Sequence, residues 1–243
     1  MNIVTTRYGG GPVKPFSWSY SRLKNYESCP KRHWHLDIAK DIKEEEGEAL
    51  QWGNAVHKAL ADRISKGAPL PKGMGHFEKW VERIAALGNK AHITVLMTEQ
   101  QLAIDANFGP TQWFSSDAKK KDQNEPWYRG IADVIKVVGP AALVVDWKTG
   151  KIIEDSQQLA LMAACVFAHH PEITRIRSEF IWLKDDASSR ADFHRDEMAK
   201  MWKNIWPRVE ALKIAHETTN YPAKPGYLCK RWCPVKACPH NGK

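Results

Sequence analysis

The sequence predicts an α/β fold in which a mixed central β-sheet is flanked by helices. Three observations predict it. Residues 131–138 and 142–147 are rich in Val and Ile and are separated by Gly139-Pro140, which reads as two antiparallel strands joined by a tight turn. Several other segments carry apolar residues at helical spacing, and one helix-length segment is apolar on nearly every side. The resulting order is helix, helix, strand, hairpin, helix, strand, helix, which suits one layered domain over residues 1–243.

Residues 1–15, with Gly9-Gly10-Gly11-Pro12, read as a flexible lead-in. Ser19 is placed as the N-cap of a short helix with Leu23 and Tyr26 on one side and Pro30 ending it. Trp34 to Leu50, with Glu44-Glu45-Glu46, reads as a solvated helix face or loop. In Gly53 to Ile64, Val56, Leu60 and Ile64 form an apolar stripe with His57 at its edge, where a histidine is most often just partly buried. Residues 75–88 place Phe77, Trp80, Val81, Ile84 and Leu87 on one helical face, read as packing rather than as a base-stacking platform. Ile93 to Asp105 reads as a strand containing Glu99. About twenty loop-like residues with Gly109-Pro110 and Lys119-Lys120-Lys121 follow it, and these lysines are candidate contacts to a nucleic-acid backbone or a solvated tip.

After the hairpin, Asp155 is the expected N-cap, with Gln158 at N3, of a helix whose residues Leu159 to Ala168 must be buried against the sheet. Ile176 to Leu183 reads as a further strand, and Asp196 to His216 as a long helix with Pro207 as a kink.

Lys and Arg number 36 against 28 Asp and Glu, a formal charge of +8, which suits a polyanionic partner such as DNA. The first residues lack the apolar core of a signal peptide, and the longest apolar run is about half of the ~20 residues a membrane span needs. These features predict a cytoplasmic protein without a membrane role.

The hairpin also carries chemistry. A loop symmetric about Gly139-Pro140 sets Asp133 opposite Asp146, with Cβ atoms roughly 5 Å apart on one face. Strand alternation puts Lys148 on that face too. Opposed carboxylates destabilise a sheet unless something neutralises them, and a divalent cation does. Two hard oxygen ligands suit Mg2+ or Mn2+, and a neighbouring lysine can orient or deprotonate a water, which together is the equipment of phosphodiester hydrolysis. The bland alternative is that Asp-x-Lys simply ends a strand in a turn with Thr149-Gly150.

Three of the five cysteines, Cys229, Cys233 and Cys238, follow the spacing C-x3-C-x4-C in the C-terminal segment 221–243. That clustering points to a metal centre, either zinc or an iron-sulfur cluster. The fourth ligand is His240 or, if the chain ends meet, Cys29; Cys165 sits in the all-apolar helix as a core residue.

Taken together, SWSYSRLKNYESCP at 17–30, GNAVH at 53–57, Glu99, GIAD at 130–133, DWK at 146–148 and QLALM at 158–162 resemble the PD-(D/E)XK nuclease superfamily. Within it, the chain is similar to the RecB-like branch of AddB-type, CRISPR-adaptation and phage exonuclease relatives. The resemblance implies a restriction-endonuclease-like core and a Mg2+- or Mn2+-dependent deoxyribonuclease, an exonuclease working in DNA processing, recombination or repair. It also implies a helicase or recombination partner in a bacterial or phage-infected cell. It makes His57, Asp133, Asp146 and the Trp147 backbone carbonyl metal ligands, Lys148 the catalytic lysine and Gln158 a supporting residue. The family often has Tyr four residues after that glutamine, where this chain has Met162. Its cluster-bearing members take one cysteine upstream and three downstream, which matches Cys29 with Cys229, Cys233 and Cys238 around a 4Fe-4S cluster, with Zn2+ the alternative. A nuclease-like module that binds DNA or a partner protein without cutting is the competing function.

Overall fold

The computed structural model describes residues 15–44, 47–88, 94–120 and 123–242. Most of the expected lead-in, as well as Glu45, Glu46, Ile93 and Lys121, lies outside them. The chain begins with α1 (Tyr20–Ser28), α2 (Pro30–His33) with a π-helical continuation (Trp34–Ala39), α3 (Glu48–Lys66) and α4 (Glu78–Ala86). Next come β1 (Thr94–Ile104), β2 (Pro110–Thr111), α5 (Ser115–Lys120), β3 (Tyr128–Val138) and β4 (Ala141–Lys148). The chain continues through α6 (Ser156–His169), β5 (Arg175–Trp182), β6 (Ala187–His194), α7 (Met198–Thr218) and α8 (Leu228–Arg231).

The six strands form one sheet in the order β2-β1-β3-β4-β5-β6. Every neighbouring pair is antiparallel except β4 and β5, which run parallel and are joined by α6. A parallel pair requires such a crossover, and α6 supplies it as a helix buried from Leu159 to Phe167. On that face α6 packs with Trp18 and Leu23 near the N-terminus and with Trp202, Ile205 and Val209 of α7 against Ile135, Val144 and Ile176. On the other face Val56 and Leu60 of α3 and Val81 and Ile84 of α4 cover Val134, Val145, Trp147 and Ile181. Deleting a fully buried side chain such as Leu161 should cost about 2–5 kcal/mol.

Several expectations need correction. The short helix α1 does stop just before Pro30, with Cys29 extended at its C-cap; what the sequence did not show is that Pro30 then opens α2, in whose first turn its missing N–H is not needed. α3 begins earlier than its apolar stripe, at Glu48, and Leu87 stands exposed just past α4. The twenty-residue loop contains β2 and α5, the latter too short for periodicity to register. Asp155 stands at the N-cap of α6 as expected, but its side chain makes no cap hydrogen bond: both carboxylate oxygens lie 2.7 Å from the Tyr20 hydroxyl that donates to them. An unforeseen edge strand, β6, alternates partly buried and exposed residues, but Phe193 is the one large apolar side chain in it to mark a strand in sequence.

Polar side chains tie the layers together. Lys136, buried in β3, donates to the carbonyls of Ile84 and Ala85 at 2.7 and 2.8 Å, closing the C-terminal end of α4. Arg195 does the same for α6 through the carbonyls of Phe167, His170 and Ile173.

Candidate active site

The hairpin register is the one the symmetric loop predicts: Val134 pairs with Val145 and Ile135 with Val144, and Gly139 turns with φ +56°, as a type II′ turn requires. The regular pairing stops at Val134–Val145, one pair short of Asp133 and Asp146. On its other edge β4 stays paired with β5 along its whole length, Asp146 opposite Phe180. The β3–β4 ladder thus ends one pair before the two aspartates, and side chains from both layers reach them there.

From the α3 layer comes His57, whose Nδ1 lies 3.2 Å from Asp133 Oδ1. The other oxygen of Asp133, Oδ2, accepts the backbone N–H of Trp147 at 2.7 Å, so a buried carboxylate is held at both ends. From the α6 layer comes Gln158, whose Nε2 donates to Asp146 Oδ2 at 2.9 Å. Lys148 Nζ donates to that same oxygen at 2.9 Å and lies 4.7 Å from the Phe180 ring centre. A cavity of about 640 Å3 opens over this point, lined by Gly53, His57, Glu99, Asp146, Trp147 and Lys148 among others. It sits at the C-terminal end of β4 beside the parallel β5, where open α/β sheets place ligands.

Glu99 gains a role that the sequence left open. Ligand atoms of His57, Glu99 and Asp133 lie within 4.8 Å of one another, the one such triple of His, Cys, Asp or Glu among the described residues. Glu99 lies within β1 between Thr98, which pairs with Val134, and Gln100, which pairs with Ala132. Its backbone is left-handed, φ +50°, a conformation costly for a non-glycine residue and concentrated at functional sites. The sequence signals were an acidic residue inside an otherwise strand-like segment and its place among the motifs of the family resemblance, neither of which assigned it a role. One imidazole nitrogen and two carboxylates fit a hard divalent cation. Asp146 is not part of that triple.

The electrostatics agree with a site built for added positive charge. Burial lifts the Asp146 carboxyl to about 6; Lys148 pulls it down and Asp133 pushes it further up. Burial and then the Asp133 charge also raise Glu99, with His57 opposing. Burial works against the charged form of His57, but its hydrogen bond to Asp133 and the nearby carboxylates outweigh that and raise its pKa.

The other candidate residues lie elsewhere. Lys119 pairs with Glu125 at 3.3 Å, Lys120 is exposed at the end of α5, and Lys121 is outside the described residues. Cys29, Cys229, Cys233, Cys238 and His240 all line one small space, so both candidate fourth ligands are present. Residues 29–31 and 222–224 meet there: Lys31 N–H donates to the Pro222 carbonyl at 3.2 Å, and Lys224 N–H to Cys29 Sγ at 3.4 Å. Cys165 is fully buried in α6.

Comparison with known proteins adds the family. A sequence profile of the PD-(D/E)XK nuclease superfamily matches residues 17–239. Among solved structures, a candidate exonuclease from Eubacterium rectale superposes with a TM-score of 0.52 at 11% identity, over 93% of this chain and 88% of that one. The protein SSO0001 superposes with a TM-score of 0.48 at 13% identity, over 95% and 89%. No curated protein matches the sequence. By the profile match over nearly its whole length, borne on a mixed six-stranded sheet, the chain belongs to the PD-(D/E)XK nuclease superfamily.

Proposed function

We propose that the protein is a divalent-metal-dependent deoxyribonuclease of the RecB-like branch that cuts phosphodiester bonds from DNA ends, in DNA processing, recombination or repair. The observation that carries this reading is the convergence of His57, Glu99 and Asp133 beside the Asp146–Lys148 pair in one open cavity.

Mg2+ or Mn2+ at the triple would supply charge neutralisation at the phosphate and a more acidic water. Of the chain's own groups, Asp133, fixed by the Trp147 amide, and His57 and Glu99 would hold the ion, with Asp146 Oδ1 and the Trp147 carbonyl completing the set. Lys148, held against Asp146, orients the attacking water and takes up its proton or faces the charge that grows on the phosphate oxygens. Gln158 fixes the Asp146 carboxylate so that Lys148 keeps its position.

The four cysteines are assigned to a structural 4Fe-4S cluster that clasps the chain ends. What supports a shared metal centre is that all four thiols line one small space, with His240 beside them, and zinc is the alternative occupant. Iron and zinc analysis with an absorption spectrum separates the two.

End-labelled linear DNA and covalently closed circular DNA, each with Mg2+, Mn2+ or chelator, test the activity. Metal-dependent loss of the linear substrate alone is expected. A protein that binds DNA yet cuts neither form with either metal is a binding module instead.

A further inference from the structure

We propose that the cavity between Trp52 and Trp80, next to the catalytic cleft, is a stacking subsite for an unpaired nucleobase adjoining the phosphate that is cut. This rests on the nuclease reading above and specifies its substrate: a single strand or a frayed end.

The cavity, of about 480 Å3, is lined by Trp52, His76, Trp80, Thr149 and Lys184 among others. Thr149 lines it and the catalytic cleft alike, so the two spaces adjoin at the residue that follows Lys148. α3 lies close against that junction: a Cβ on Gly53 would stand 3.2 Å from Thr149 Oγ1. A nucleic acid whose phosphodiester lies at Lys148 has its neighbouring nucleotide at this opening.

The walls are suited to a base. Val56 and Leu60 are fully buried, whereas Trp52, one turn before Val56 on the same stripe, is 45% exposed, so an indole projects past the end of the core. Trp80 faces the same cavity and is braced by Arg83, whose guanidinium lies 4.8 Å from its ring and donates to Glu179 at 2.5 Å. Of the face read from sequence as packing, Phe77, Val81 and Ile84 are core, Leu87 is exposed, and Trp80 is partly buried, packed against the core while lining this cavity. Lys184, which has no ion pair among the described residues, adds a cation for a phosphate. Aromatic faces next to a lysine form the usual platform for single-stranded nucleic acid, and every base can stack on them. A base paired in a duplex cannot enter between two side chains, whereas an unpaired one can.

The test moves a single abasic residue, one position at a time, through an end-labelled single-stranded oligonucleotide and measures kcat/KM with Mn2+. Wild type should slow about tenfold when the abasic residue reaches the subsite. Trp52→Leu, which keeps apolar bulk at the core edge, should lose that sensitivity, and Trp52→Phe should retain most of it. Wild-type cleavage with no abasic effect at any position overturns the subsite without any variant. So does a Trp52→Leu protein with a lowered Tm and an intact abasic effect, which would make Trp52 a core-edge residue. Hydrolysis of bis(p-nitrophenyl) phosphate, which has no base, tests the nuclease reading separately: wild type active there but indifferent to abasic residues loses only the subsite, and wild type inactive on both substrates loses both.

Discussion

Gln158 and Asp146 are joined by a hydrogen bond, Nε2 to Oδ2 at 2.9 Å, that reaches from the first turn of α6 back to the end of β4. Lys148 shares the same oxygen. In the proposed mechanism the two donors play different parts, one positioning and one chemical. Lys148→Ala should abolish DNA cleavage while leaving Tm and DNA affinity nearly unchanged, because its charge matters most in the transition state. Gln158→Ala should keep activity but lower kcat about 10–100-fold. Single-turnover cleavage rates beside salt-dependent binding curves check both, and a Lys148→Ala protein that cuts at the wild-type rate would refute the catalytic role.

Glu99 is expected to hold the ion with His57 and Asp133. Glu99→Gln should weaken Mn2+ binding by about 10–100-fold in titration calorimetry. Raising Mn2+ should restore part of its cleavage, whereas Lys148→Ala should stay inactive at any metal concentration. Equal Mn2+ affinity in Glu99→Gln and wild type would remove Glu99 from the site.

The Asp146 carboxyl, lifted to about 6 in the fold from 3.8, fixes the sign of a pH effect. Between about 4 and 6 the metal-free folded protein holds a proton that the unfolded chain has released, so stability falls as pH rises and stays lower above that window. The loss is about 3 kcal/mol. His57 acts in the same direction at higher pH, since its folded pKa lies above the ordinary 6.5. Urea unfolding of chelated protein at pH 5 and 7.5 should show this decline. Asp146→Asn should flatten it, unfolding at higher urea than wild type at pH 7.5 while losing cleavage, and added Mn2+ should stabilise wild type more at pH 7.5 than at pH 5. A wild-type profile that stays flat between those pH values would contradict the assignment.

Cys29→Ser, Cys229→Ser, Cys233→Ser and Cys238→Ser should each lower Tm and bound metal together, since such a centre contributes its binding energy to folding. Cys165→Ser should leave metal content unchanged, because that thiol is buried in α6 away from the other four. If Cys29→Ser retains full metal content and Tm, the fourth ligand is His240 and zinc becomes the better assignment.

The sequence by itself determined what is local. The Val- and Ile-rich segments around Gly139-Pro140 set the hairpin and its register, because strand alternation and turn chemistry act between near neighbours. The apolar surfaces of α3 and α6 set which faces are buried, and the motif resemblance pointed to the superfamily that the profile match establishes. Only the tertiary structure decided how distant groups meet. It stopped the hairpin pairing before Asp133 and Asp146, brought His57 to one of these carboxylates and Gln158 to the other from opposite layers, and drew Glu99 into the cluster through a left-handed backbone inside β1. It also turned the side chain of the α6 N-cap, Asp155, to Tyr20, and it laid Cys29 beside the C-terminal cysteines. Periodicity shows which face of an element is buried, but which polar side chains then share a space depends on strands and helices far apart in the chain and on the charges they must neutralise there.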